Sequence, residues 1–127
     1  MTTIRDKMGS LFPSAVELDS ETFSNGRTLL EFTRADGATC GFPISWLYRY
    51  DHVPAEDGER LILQFAEHRV TIRGQPLEQL HRSLHDGEGF HVCETPPRYL
   101  AIKREAKSFI ESILIEPLNR PQTEQTN

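Results

Sequence analysis

Two cysteines, Cys40 and Cys93, are all that the chain carries. That is too few for a disulfide framework, and without an export signal both are expected to be reduced thiols in small apolar sites. Long hydrophobic runs are missing: none approaches the roughly 20 residues needed to cross a bilayer. The opening stretch MTTIRDKMGSLFPSAVELDS lacks the continuous apolar segment of a secretory signal. A cytoplasmic protein with no membrane contact is the expectation. Basic charge is also short, with 14 Lys and Arg against 19 Asp and Glu and a net charge of −5. A surface that binds a phosphate backbone must gather Lys and Arg, so nucleic acid is not an expected partner.

Catalytic signatures are absent as well. There is no Gly-rich phosphate loop, no GxSxG elbow around Ser45 and no HExxH, since the stretch from His81 to His85 reads HRSLH. Asp51 and His52 are neighbours, but adjacent side chains of a strand point to opposite faces. A Cys–His pair would have to use Cys40 or Cys93, whose apolar surroundings raise a thiol pKa rather than activate it. These absences point to a non-catalytic protein without a cofactor.

What is present suits one modest core. Hydrophobic residues make up 37% of the 127 residues and charged ones 26%, a globular composition at the size of a single domain. Residues 1–14 and 117–127 mix charge, Gly and Pro without periodicity and read as a flexible arm and a disordered tail. The domain is expected over 15–116. Within it the dominant period is two, which predicts strands. RTLLEFTR sets Leu30 and Phe32 on one face, and Asp36-Gly37 closes a hairpin onto the next strand. Leu61, Leu63 and Phe65 share a face, as do Val70 and Ile72, giving a second hairpin. FHVCE at 90–94 and SFIESILIE at 108–116 add strands, the latter with Phe109, Ile113 and Ile115 on one side; 99–107 fits either a strand or a short helix. The expected fold is mainly β (α+β): a small, strongly bent antiparallel sheet or small barrel of five or six strands with one short helix.

That helix is predicted over about 76–86. Gly74 breaks the preceding strand, Pro76 suits a first turn, Glu78 meets the positive end of the helix dipole, and Asp86-Gly87 supplies the stop. Leu77, Leu80 and Leu84 form its buried stripe, with His81 at the edge and His85 toward solvent. Histidines in a last turn are explained by their favourable interaction with the dipole. The functional alternative is a ligand or metal site built from His81, His85, His91 and Cys93, because two histidines at i and i+4 need a third and fourth ligand.

Two further groups carry candidate function. Trp46, Tyr48 and Tyr50 fall on one face of the extended stretch ISWLYRYD and, interleaved with Arg49, make a candidate interface for a second copy or a protein partner. Arg69, Arg73 and Arg82 form the one locally basic stretch, which offers RNA binding as a second alternative. The leading expectation is a self-associating interaction module, because a half-open sheet must cover its edges.

Two resemblances accompany this reading. DGATCGFPISWL, through Asp36, Gly37, Pro43, Trp46 and Leu47, is similar to the small domain that precedes the catalytic part of gamma-butyrobetaine hydroxylases. That family follows WL with a cysteine-rich zinc site; here YRYDHVP follows, so the zinc role does not carry over. The order of short twisted strands from 27 to 73 and 90 to 116 resembles the small barrels of Sm-like proteins, which implies a homo-oligomer, although their RNA-binding motifs are absent and the 76–86 helix interrupts the series.

Overall fold

Alternating apolar and polar side chains build most of the molecule, which a computed structural model describes over residues 17–118. The arm expected over 1–14 lies outside the described residues, as does the tail expected over 117–127 apart from Pro117, which ends the last strand, and Leu118. Among the described residues, eight strands form two four-stranded sheets. The first contains β1 (Phe23–Arg27), β2 (Leu29–Thr33), β3 (Thr39–Pro43) and β7 (Gly89–Cys93) in the order β1-β7-β2-β3. The second contains β4 (Arg49–Val53), β5 (Glu59–Gln64), β6 (His68–Gln75) and β8 (Phe109–Pro117) in the order β4-β5-β6-β8. Among the described residues there are two α-helices, α1 (Glu78–His85) and α2 (Pro97–Glu105). The fold is mainly β with helices, as expected, and its sheets do not close into a barrel.

Both predicted hairpins are present. β2 and β3 pair antiparallel around a turn in which Gly37 takes a positive φ of 94°, and β5 pairs antiparallel with β6. Leu30, Phe32, Leu61, Leu63, Val70 and Ile72 are all fully buried. They merge with Phe90 and Val92 of β7, Ile110 and Ile113 of β8, and Leu77, Leu80 and Leu84 beside and on α1 into one apolar cluster drawn from both sheets. Phe42 stacks on Phe65 at 4.3 Å between ring centres and so ties β3 to the end of β5.

Several expectations are corrected. β1 was not foreseen: FSNGR is polar and non-alternating, and it is held by pairing with β7, with a bulge between Asn25 and Arg27. β7 pairs antiparallel with β1 and parallel with β2, so the first sheet is mixed. Gly74 does not end its strand, because a Cβ there would collide with the backbone of Phe109 and Ile110 and its absence lets β8 lie close. The bulge opposite Arg73 and Gly74 also rephases β8, so that Ile110 joins Ile113 in the core in place of simple alternation from Phe109. Residues 97–105 are helical, but α2 buries none of its side chains.

Glu94 and Thr95 stitch the sheets together. The N–H groups of Ala35 and Ile113 donate to the two Glu94 carboxylate oxygens, each at 2.7 Å, and the Ile110 N–H donates to Thr95 Oγ1 at 2.9 Å. At the other end of α2, Lys103 donates to the Asp19 carboxylate, which also accepts from Thr22. These bonds, Lys103 first, hold the Asp19 carboxyl below its ordinary value of 3.8. A carboxylate with a lowered folded pKa stabilises the fold above its unfolded pKa, and this contribution fades as pH falls through the folded one. Asp19→Asn should therefore lower stability at neutral pH, by at most about 1 kcal/mol for so exposed a pair. The gap to wild type should narrow as pH falls below the ordinary carboxyl value of 3.8 in acid-unfolding curves; a gap unchanged with pH would reject this account.

Candidate interaction surface

The chain crosses from the first sheet to the second through Pro43–Leu47. Pro43 has no N–H to continue a ladder, and a single 3-10 turn, Ile44–Trp46, follows, closed by the Leu47 N–H on the Ile44 carbonyl at 3.0 Å. Trp46, Tyr48 and Tyr50 therefore do not share one strand face. Trp46 sits on the turn, Tyr48 precedes β4, and only Tyr50 lies within β4. The correction has consequences. Trp46 and Tyr48 are 63% and 64% exposed, while Tyr50 is half-buried against the core and edge-on to His81 at 5.5 Å. The Tyr48 hydroxyl accepts from the Gln64 amide at 3.1 Å, which fixes the ring over the start of β4.

Apolar surface continues on both sides of the turn. On one side a cleft of about 450 Å³ is lined by Phe42, Trp46, Phe65 and His68. On the other, Ile44, Leu47, Tyr48 and Tyr50 line a more open depression of about 550 Å³ that reaches Leu84 of α1. Large aromatics cost little conformational entropy to immobilise and supply much contact area. What this arrangement can do is bind an apolar surface.

The histidines are dispersed. His81 does not meet His91 or Cys93; it stacks on His52 at 5.1 Å. His52 Nε2 in turn lies 2.8 Å from Glu59 Oε1, an oxygen that also accepts the Leu77 N–H at 3.2 Å and so anchors the start of α1. This constellation was not found from the sequence. Its signal, Glu59 seven residues after His52, becomes meaningful only once β4 and β5 are paired. His85 is exposed at the end of α1, where its position beside the last carbonyls matches the dipole reading.

His91 and Cys93 share the outer face of the first sheet, since Phe90 and Val92 between them point into the core. Thr33 Oγ1 is 2.8 Å from His91 Nε2 and 2.9 Å from Thr39 Oγ1, and Cys93 Sγ is 3.7 Å from the same ring nitrogen. Burial pushes the Cys93 thiol up, against a smaller opposing effect of Thr33, so the sulfur is held as a neutral thiol rather than as a nucleophilic thiolate. Cys40 is also free and half-buried, and it packs against the core. Among the described residues, no three His, Cys, Asp or Glu side chains converge as metal ligands. The predicted group of four is split between α1 and the opposite face of β7.

The arginines separate in the same way. Arg69 and Arg73 lie on the outer face of β6, with Arg69 paired to Glu116 at 3.4 Å, whereas Arg82 lies on α1 and pairs with Glu78 at 2.9 Å. The basic neighbour that the sequence reading missed is Arg60, directly across from Arg73.

Comparison with protein-family models, with curated proteins and with solved structures gives no match to this chain.

Proposed function

We propose that the protein is a non-catalytic interaction module that associates with further copies of itself through the aromatic turn of Trp46 and Tyr48. The observation that carries this reading is the placement of two large aromatic side chains, each nearly two-thirds exposed, beside a chain of apolar surface. A core of Phe and Leu is complete without them. Exposed contiguous apolar surface of this kind marks interaction sites in soluble proteins. The neutral Cys93 thiol and the dispersed metal-donor side chains offer no competing chemistry of comparable support. Net charge and the pairing of Arg69 and Arg82 with carboxylates weigh against a polyanion as the partner.

Light scattering at two protein concentrations tests the reading. Wild type should show a mass above that of one chain, rising with concentration, and Trp46→Ala should shift it toward monomer. The variant should retain its circular dichroism and lose less than about 1 kcal/mol of stability, as expected of an exposed side chain. A wild type that stays monomeric at both concentrations would overturn it.

A further inference from the structure

The two sheets leave four edge strands among the described residues: β1, β3, β4 and β8. An unpaired edge is a template for a further strand, and proteins blunt edges with bulges, prolines or capping groups. Three of the four are blunted in this way. β1 carries a bulge with Gly26 at a φ of 80°. β3 contains Gly41 and ends in Pro43. β8 has the N–H groups of Ile110 and Ile113 occupied by Thr95 and Glu94, and it ends in Pro117. β4, with the sequence RYDHV, contains no glycine, proline or bulge, and it pairs only with β5.

The direction of its free groups follows from the ladder. The Phe65 N–H donates to the His68 carbonyl, so at the end of β5 odd-numbered residues turn their backbone groups toward β6. By the alternation of a strand, Arg60, Ile62 and Gln64 turn theirs toward β4, opposite Val53, Asp51 and Arg49. The backbone groups of Tyr50 and His52 are left facing outward.

An outward residue can bond only to another outward residue, which restricts the twofold registers to axes through a residue. An axis at His52 sets Tyr50 against the second copy's Pro54, which has no N–H to give, and sets Asp51 against Val53, with no opposite charge to meet it. An axis at Asp51 sets the two Asp51 carboxylates directly opposite. An axis at Tyr50 is likewise one donor short per copy, because His52 meets Tyr48, whose N–H is given to the Gln64 carbonyl at 3.1 Å; but it sets Arg49 of each copy opposite Asp51 of the other, on the face where Arg49 already pairs with its own Asp51 at 3.1 Å. Charges of alternating sign then tile the junction. The same axis sets Val53, which is 37% exposed, toward the segment of the other copy that leads from its Trp46 turn into β4.

We propose that the protein dimerises by antiparallel pairing of β4 with β4 of a second copy about a twofold axis at Tyr50, joining the second sheets into one of eight strands. The inference rests on the self-association reading above and gives it a strand, a register and an axis.

Charge exchange at the junction is the test, with molar mass measured over a dilution series for wild type, Arg49→Asp, Asp51→Arg and the double variant. Each single change places like charges opposite each other twice, and should raise the dimer dissociation constant at least about tenfold. Asp51→Arg should do so even though it brings the net charge closer to zero. The double variant restores opposite pairs and should return to the wild-type mass. Circular dichroism establishes that each variant is folded. Single variants that remain as dimeric as wild type while Trp46→Ala dissociates would overturn the β4 register and leave the aromatic surface standing. A double variant that stays monomeric would also overturn the register. A monomeric wild type would remove both readings.

Discussion

Replacing Phe90 by alanine is expected to lower the unfolding free energy by about 3 to 5 kcal/mol. Phe90 is fully buried on β7, the strand held between β1 and β2. Its ring meets Phe32 edge-on at 6.2 Å and Phe23 at 6.0 Å. Truncation removes the transfer energy of the ring, leaves a cavity that strands paired on both sides cannot collapse to fill, and forfeits two aromatic contacts of about 0.5 to 1.5 kcal/mol each. Total stabilities are about 5 to 15 kcal/mol, so this one change should consume a large part. Urea unfolding checks it: the midpoint should fall far below that of wild type, with Trp46→Ala close to wild type. A loss under about 1.5 kcal/mol would mean that the two sheets close over the gap.

The adjacent position should fail for the opposite reason. Gly89→Ala is expected to cost about 3 kcal/mol or more, because the added Cβ would run into the carbonyl of Leu29 and stand 3.0 Å from the Arg27 oxygen. Both obstacles are backbone atoms of the flanking strands, so no side-chain rotation relieves the clash. Gly89→Ser should be at least as damaging, whereas Gly58→Ala, with nothing within 4 Å of its Cβ, should cost only what its positive φ of 143° imposes. Thermal unfolding of the three variants separates these cases. Equal losses at Gly89 and Gly58 would show that backbone conformation, not close approach, decides the effect.

Phe90 and Gly89 also show where sequence reasoning reaches and where it stops. Alternation marked FHVCE as a strand, and the structure agrees; which face turns inward, that of Phe90 and Val92, is read from the structure. Nothing local says that this strand inserts between β1 and β2, because a parallel pairing with residues sixty positions away is set by the shared core. The stretch 99–107 fits helix and strand alike for a related reason: its apolar residues Tyr99 and Ile102 end up exposed, so neither period was enforced by burial. The candidate site was half legible. Trp46 and Tyr48 could be named from composition, but placing them on one strand face with Tyr50 ignored the turn that follows Pro43. The His52, Glu59 and His81 group could not be seen at all, since it joins β4, the start of β5 and α1.

The sequence alone determined the mainly β character, the two hairpins, the Leu77, Leu80 and Leu84 stripe of α1 and most of the core. These rest on periodicity and turn chemistry, which act over a few residues. The tertiary structure decided the mixed order of the first sheet, the bulge that rephases β8, the parting of the histidines and arginines, and which edge is left open. Each of these depends on which segments meet across the core, and the free energy that selects among such meetings is spread over many distant contacts rather than written in any one stretch of chain.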